Sequence, residues 1–240
     1  MNKRESGFTL IELMIVIAII AIIAAIAIPN LLAAKVSSNE TAAIATLRNL
    51  NSSQAQLQTS GKIDVDADGI GEFGTFSELT GIATCRTTSA TTVVGGTKLS
   101  PAILSPSLSN VDTTGFVTKA GYAFMIFLPA ASAAFSNEKG PALTFSFTAA
   151  VDNNLAETTW CSYAQPVAHG NSGNRRFMCN QTGDTLQSAN DGLGGLTKFA
   201  GTTTAINGNS AFANTGGGLI TGAVAIGTKG KDGYFWKVTN

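Results

Sequence analysis

The chain has 240 residues, 44% of them hydrophobic and only 12% charged, with 15 basic side chains balancing 15 acidic ones. Without a basic excess, the composition gives no direct indication of nucleic-acid binding, and the single histidine excludes a histidine-rich metal site. After the N-terminal region the chain is rich in Gly, Thr, Ser, Ala and Asn, which predicts short strands, many turns and the weakly charged polar surface of an extracellular domain.

The first predicted element is an apolar helix near the N-terminus. Residues 13–28 are almost all Ile, Ala, Val and Leu, and none of them is charged. A helix over residues 8–34 would be roughly 40 Å long, enough to cross a bilayer core of about 30 Å. Because Lys3 and Arg4 precede it, we predict a single membrane pass with the N-terminus in the cytoplasm and the remaining chain outside.

The position of one glycine distinguishes this segment from a secretory signal peptide, in which the small residues of the cleavage site follow the apolar stretch. Here Gly7 precedes it, so cleavage after Gly7 would leave the helix on the mature protein and create a new ammonium at Phe8. Glu12 lies one helical turn from that ammonium. A carboxylate at membrane depth needs a counter-charge, which makes Glu12 a candidate functional residue.

The motif GFTLIEL at residues 7–13, followed by the apolar run and by Ala-Ile-Pro at 27–29, resembles the type IV pilin and pseudopilin family. The resemblance is close over about residues 1–50. It implies that a prepilin peptidase cuts between Gly7 and Phe8 and that Phe8 is then N-methylated. It also implies that Glu12 pairs with the Phe8 amine of a neighbouring subunit during filament assembly.

The helical pattern continues beyond the apolar run to residue 60. Pro29 removes one backbone hydrogen bond and predicts a kink. Residues 35–60 are amphipathic, and we predict that their apolar stripe packs on a sheet while the opposite face is exposed. The predicted stripe consists of Ala43, Ile44, Leu47, Leu50, Gln54 and Leu57, and the predicted exposed face includes Asn39, Glu40, Arg48, Asn49 and Gln56. Gly61 is the predicted stop.

An acidic loop follows the helix. Asp64, Asp66 and Asp68 match the opening of a calcium-binding loop, but Thr75 stands where the bidentate acid is expected and Glu72 takes the ninth position. Two interpretations stay open: an irregular Ca²⁺ site made by the three aspartates and Glu72, or an acidic turn exposed to solvent. We expect no other cofactor.

The remaining chain predicts a globular β-rich head over residues 61–240, with strands near 121–128, 142–151, 159–167, 175–180 and 234–238. The strand at 121–128 has apolar residues on both faces, so we expect an interior strand with the helix on one side. Together with the long helix this predicts an α+β fold with an antiparallel sheet. The predicted segments are a leader peptide (1–7), a membrane or filament-core helix (8–34), an amphipathic helix (35–60) and the head.

Three cysteines lie in the head. Cys161 and Cys179 fall in two strands of one predicted hairpin, and an exported domain meets an oxidising compartment, so we predict a disulfide between them. Cys85 would then be a free thiol, buried or exposed. No Cys-x-x-Cys spacing exists, which argues against a structural zinc site.

No catalytic set is evident in the sequence, and we predict that the protein is not an enzyme. The resemblance implies a structural subunit of a type IV pilus-like filament, a helical homo-oligomer. Its partners would be prepilin peptidase, the inner membrane before assembly and the inner-membrane assembly machinery, and its destination an extracellular pilus. Two alternatives stay open: a pseudopilin of a type II secretion system in a periplasmic pseudopilus, and an adhesin or other binding module on a pilin anchor.

Overall fold

The computed structural model describes residues 8–92, 96–131, 135–140, 146–188, 206–213 and 220–239. One long helix lies against an antiparallel sheet, so the predicted α+β pilin-like architecture is confirmed. Gly7 and the rest of the predicted leader lie outside the described residues.

The long helix, α1, spans Leu10–Ser60 and is 51 residues long. It begins after Thr9, the N-cap, and it ends at Gly61, which adopts the left-handed conformation with a φ of 58°. A residue without a Cβ takes this conformation at little cost, so the predicted stop at Gly61 is confirmed. The helix continues through Pro29 without a break, and the kink at this residue stays a prediction.

The two halves of α1 differ in what they contact. Sixteen large apolar side chains between Phe8 and Leu32 are each at least 47% exposed, whereas Leu47, Leu50 and Leu57 in the second half are completely buried. The predicted stripe is confirmed, since Ala43 and Gln54 are also buried and Ile44 is half-buried.

The opposite face of α1 is only partly as predicted. Arg48, Asn49 and Gln56 are exposed. The predicted exposure of Glu40 is wrong, because Glu40 is only 5% exposed and bonds to an arginine of the head.

The main sheet has six strands, each antiparallel to its neighbours, in the order β1-β2-β5-β6-β7-β8. These strands are β1 (Val117–Lys119), β2 (Tyr122–Phe127), β5 (Cys161–Pro166), β6 (Phe177–Asn180), β7 (Thr185–Ser188) and β8 (Trp236–Val238). A second, two-stranded sheet pairs β3 (Glu138–Lys139) with β4 (Ser146–Phe147). Two short helices, α2 (Phe76–Leu79) and α3 (Asn153–Ala156), and a 3₁₀ turn (Pro106–Leu108) complete the described elements.

The predicted strands agree with the structure to different degrees. Those near 121–128, 159–167, 175–180 and 234–238 are confirmed as β2, β5, β6 and β8 with shorter bounds. Of the strand predicted at 142–151, residues 141–145 lie outside the described residues and only Ser146–Phe147 is strand in the remainder. Strands β1, β3 and β7 were not predicted.

Each face of the main sheet has its own apolar core. On the face that packs against α1, Tyr122, Phe124 and Ile126 of β2 join the helix residues in one cluster. On the opposite face, Met125 and Phe127 pack with Trp236 and with residues of the segments that begin at Ile206 and Ile220. The prediction of an interior strand with two apolar faces and the helix on one side is therefore confirmed.

The predicted Cys161–Cys179 disulfide is wrong. In the β5–β6 register Cys161 lies opposite Asn180, and Cys179 lies opposite Ser162, so the two thiols point to opposite faces of the sheet. The Cys179 thiol donates to the carbonyl of Leu47 in α1, and the Cys161 thiol donates to the carbonyl of Gly208. Both cysteines and Cys85 are free and buried.

Candidate functional site

The N-terminal turn of α1 contains a capping box. The Glu12 backbone N–H donates to Thr9 Oγ1 at 3.3 Å, and Glu12 Oε2 accepts from the Thr9 backbone N–H at 2.8 Å and from Thr9 Oγ1 at 2.6 Å. This role of Thr9 was not predicted, although a Thr followed three residues later by a Glu is its signature. Since an ionised carboxylate has about four acceptor positions, Glu12 can still accept from another group.

This turn is the start of the apolar half of α1. Phe8 is 83% exposed, and the helix is long and apolar enough to cross a membrane, with none of its most apolar part buried. The structure thus places Phe8 and Glu12 at one end of an uncovered apolar rod, while Gly7 lies outside the described residues.

A second group of charged side chains follows α1, and three of them form a buried ion network. Arg86 Nη2 contacts Glu72 Oε2 and Arg86 Nη1 contacts Glu78 Oε2, both at 2.8 Å, and all three side chains are fully buried. Arg86 Nη2 also donates to the carbonyl of Phe73. Burial raises the pKa of Glu72, and the Arg86 charge opposes that rise.

Because Glu72 belongs to this network, the acidic side chains are not arranged as the predicted calcium site requires. Asp64, Asp66 and Asp68 are brought together, because each offers a carboxylate oxygen within 4.8 Å of the others. Glu72, the fourth predicted ligand, is not part of this group. Its Oε1 accepts from the Val65 N–H at 2.9 Å and its Oε2 accepts from Arg86, so both oxygens hold the base of the loop.

The loop also forms turns around its own aspartates. Asp64 Oδ2 accepts from the Gly69 N–H at 3.1 Å, and Asp68 Oδ1 accepts from the Ile70 N–H at 2.8 Å. Asp64 Oδ1 is buried and has no hydrogen-bond partner among the described residues.

A further acidic residue near this loop was not predicted from the sequence. Glu157, directly after α3, is only 7% exposed, and its Oε1 is buried without a hydrogen-bond partner in the described part of the chain. Burial raises the pKa of Glu157, and so do the negative charges of Asp68, Asp66, Glu72 and Asp64. No motif links residue 157 to the loop, so no sequence pattern predicts that the two lie near each other.

Comparisons with known proteins match the N-terminal part of the chain. A family model described as the prokaryotic N-terminal methylation motif matches residues 2–28. The chain is 54% identical over 56 residues to the type IV wide pilus major component PilA4 of Thermus thermophilus, which is 23% of this chain and 43% of that protein. It is 53% identical over 53 residues to the type IV major pilin protein PilA of Myxococcus xanthus, which is 22% of this chain and 24% of that protein. No solved structure matches.

These matches confirm the resemblance to type IV pilins over the N-terminal segment. The chain spans less than half the length of either relative, and the matches cover less than a quarter of the chain itself. Both relatives are described as pilus components, and neither description names an enzyme.

Proposed function

We propose that this chain, which carries the N-terminal methylation motif and resembles type IV pilins at its N-terminus, is a structural subunit of a type IV pilus-like filament. The observation that carries the proposal is the contrast within α1. Its second half is packed on the sheet, whereas its first half exposes fifteen large apolar side chains. Burying one such side chain is worth about 1.5–3 kcal/mol, so leaving all of them in water would cost tens of kcal/mol.

Two environments would cover this apolar surface, one after the other. The length and hydropathy of the helix suit a bilayer, so the subunit would first lie in the inner membrane with its N-terminus in the cytoplasm and its head outside. The apolar first halves of α1 from many subunits would then pack together in a filament core. The partners would be prepilin peptidase and the inner-membrane assembly machinery, and the product would be a helical homo-oligomer.

The N-terminal turn supports a role for Glu12 in this assembly. Cleavage after Gly7 would give Phe8 an amine, which the peptidase would methylate. A charged amine and a charged carboxylate in an apolar core each need a counter-charge. If successive subunits are displaced along the filament axis, Glu12 of one subunit meets the Phe8 amine of the next, which fixes the axial step.

Two substitutions test this assignment because they separate charge from capping. Glu12→Gln keeps a side chain that can complete the capping box but removes the charge. Thr9→Ala removes the cap and keeps the charge. We expect electron microscopy of cells to show no filaments with Glu12→Gln and filaments with Thr9→Ala, while both variants still fractionate with the membrane. Unchanged filaments with Glu12→Gln would refute the charge-pairing role.

Mass spectrometry of the mature protein tests the processing step. We expect an N-terminal N-methyl-phenylalanine at residue 8, and an N-terminus at another position would contradict the proposed cleavage. Antibody labelling of the head then distinguishes the destinations: long labelled fibres outside the cell support a pilus, and label confined to the periplasm would replace it with a type II secretion pseudopilus.

A further inference from the structure

We propose that the end of the head nearest the apolar half of α1 binds the headgroups of anionic lipids while the subunit is still in the membrane. This surface, called the near end below, consists of the β1–β2 turn at residues 120–121 and the β5–β6 loop at residues 167–174. The inference rests on the membrane stage of the proposed function, and it adds a lipid partner for the head.

The contacts along α1 order the head along the helix axis. Asn39 Nδ2 donates to the carbonyl of Ser172 in the β5–β6 loop at 2.9 Å. The β1–β2 turn lies beside the same side chain, because a Cβ placed on Gly121 would be 3.1 Å from Asn39 Nδ2. Gln58, which donates to the Glu157 carbonyl, is roughly 28 Å further along the helix. The two turns therefore lie together at the end of the head from which the apolar half of α1 emerges.

The length of the apolar segment places the near end at the bilayer surface. A helix over residues 8–34 is roughly 40 Å long, which matches a bilayer of about 40–45 Å with its headgroups. Lys35 then lies at the level of the headgroups, and Asn39, one turn later, lies roughly 6 Å beyond it. Electrostatic attraction reaches this height, because the screening length at physiological ionic strength is about 8 Å.

The charged side chains at the near end suit an anionic surface. Lys35 is exposed, and Lys119 is half-buried at the base of the β1–β2 turn. Neither lysine is in a salt bridge within the described part of the chain. The charge of Glu40, which contacts the β5–β6 loop, is balanced by Arg175. Each lysine near an anionic membrane should favour contact with it by about five-fold.

An exposed apolar side chain lies close to these charges. Val167, at the start of the β5–β6 loop, is 60% exposed, and Ala168 and Ala120 are exposed as well. The Val167 N–H donates to the Gly121 carbonyl at 3.0 Å, so the two turns form one surface. An apolar side chain beside lysines can enter the boundary between headgroups and acyl chains while the ammonium groups stay among the phosphates. The acidic loop after α1, at the opposite end of the head, would be repelled by the same surface.

Quenching by labelled headgroups tests the proposal. The full chain is reconstituted in vesicles of neutral phosphatidylcholine, or of phosphatidylcholine mixed with anionic phosphatidylglycerol, both carrying a quencher on the headgroup. A fluorophore is attached at Ala168→Cys in the near end or at Thr59→Cys close to the end of α1, since the native cysteines are buried. We expect stronger quenching of the near-end label in anionic vesicles and no such difference for the other label. The difference should disappear at about 1 M NaCl, where the screening length is about 3 Å.

Matched variants separate the charges of the near end from the net charge of the chain. Lys35→Gln combined with Lys119→Gln should reduce quenching of the near-end label to its level in neutral vesicles. Lys62→Gln combined with Lys98→Gln removes two exposed lysines that line one cavity beyond the end of α1, and it should leave the quenching unchanged. Val167→Ser should weaken the quenching without removing its dependence on anionic lipid.

Flotation of the vesicles at high salt measures membrane insertion separately. A chain that does not float with the vesicles would refute the membrane stage, and the lipid contact with it. A chain that floats, but whose near-end label is quenched equally in both kinds of vesicle or in the variant without Lys35 and Lys119, would refute the lipid contact alone. Quenching that changes with the protein-to-lipid ratio would assign the near end to a second copy of the chain and would also overturn the proposal.

Discussion

Glu40, in the second half of α1, is bonded to Arg175, which lies two residues before β6. Arg175 Nε donates to Glu40 Oε2 at 2.8 Å, Arg175 Nη2 contacts the same oxygen, and the Asn174 backbone N–H donates to Glu40 Oε1 at 2.9 Å. Both carboxylate oxygens are thus used to hold the helix against the head. The contact lies close to the point where α1 changes from an exposed rod to a packed element.

Removal of this contact should weaken the docking of the helix. We expect Glu40→Ala to lower the free energy of unfolding by about 1–2 kcal/mol, a modest value because the Arg175 side chain is 35% exposed and water screens part of the interaction. Chemical denaturation of the full chain in detergent measures the change. Arg48→Ala, on the exposed face of the same helix, is the control and should change stability by less than about 0.5 kcal/mol. Equal effects of the two substitutions would contradict the docking role.

The buried Arg86 network should be far more sensitive. Arg86→Met leaves Glu72 and Glu78 buried without their counter-charge, and removing one partner of a buried ion pair typically costs about 3–5 kcal/mol. We expect a loss of this size in denaturation, or failure to fold. Adding Glu72→Gln and Glu78→Gln to Arg86→Met should recover part of the loss, because the uncompensated charges are then gone. No recovery in the triple variant would show that packing of Arg86, and not charge, is what matters.

Glu138 predicts a pH dependence of stability. It is fully buried, and although it accepts from the backbone N–H groups of Phe76 and Ser77, burial raises its pKa to about 7. Between the unfolded pKa of about 4.5 and pH 7, the unfolded chain loses this proton and the folded chain keeps it. Stability should therefore fall as the pH rises through this window, by up to about 3 kcal/mol from this group.

Glu138→Gln cannot titrate and isolates that contribution. We expect the difference in unfolding free energy between the unmodified chain and Glu138→Gln to change steadily from pH 4.5 to 7.5, in favour of the variant at high pH. Denaturation midpoints at four or five pH values give the comparison. A difference that is independent of pH would mean that the pKa of Glu138 is not raised in the folded state.

The cysteines should behave as three buried thiols. Burial raises the pKa of all three, with Cys85 reaching about 11, and thiolates are the reactive form. We expect a thiol reagent to label none of them in the folded protein and all three after unfolding, with a melting temperature that is unaffected by reductant. If only one thiol is labelled in the unfolded, unreduced chain, the other two form a disulfide, and the predicted Cys161–Cys179 bond would be supported.

The structural features that depend on residues close together in the sequence were predicted best. The stripe containing Leu47, Leu50 and Leu57, the stop at Gly61 and the alternating faces of β2 all follow from local periodicity or local conformation, and all are confirmed. The acidic residues were predicted less well. Glu40 was assigned to solvent, and Glu72 was a candidate metal ligand in one of the two interpretations of the loop, because their arginine partners lie elsewhere in the sequence.

The missed position of Glu157 and the wrong disulfide prediction have the same cause. Glu157 comes near the aspartate loop only through tertiary folding, and no spacing rule identifies such a proximity. For Cys161 and Cys179 the hairpin was correct, but a one-residue difference in register decides whether two side chains share a face. Local pattern identifies the strands, and only the pairing fixes which side chains meet.

The second apolar core, on the side of the sheet away from α1, has a consequence for the outer surface of the proposed fibre. With the helices gathered along the axis, that side faces outward, and it is covered by the segments around Phe212 and Ile220 together with Trp236. This cover rests on its own core and shares no buried residue with the helix contact. The part of the subunit that antibodies, proteases and surfaces meet could therefore diverge in sequence while the axial packing is preserved.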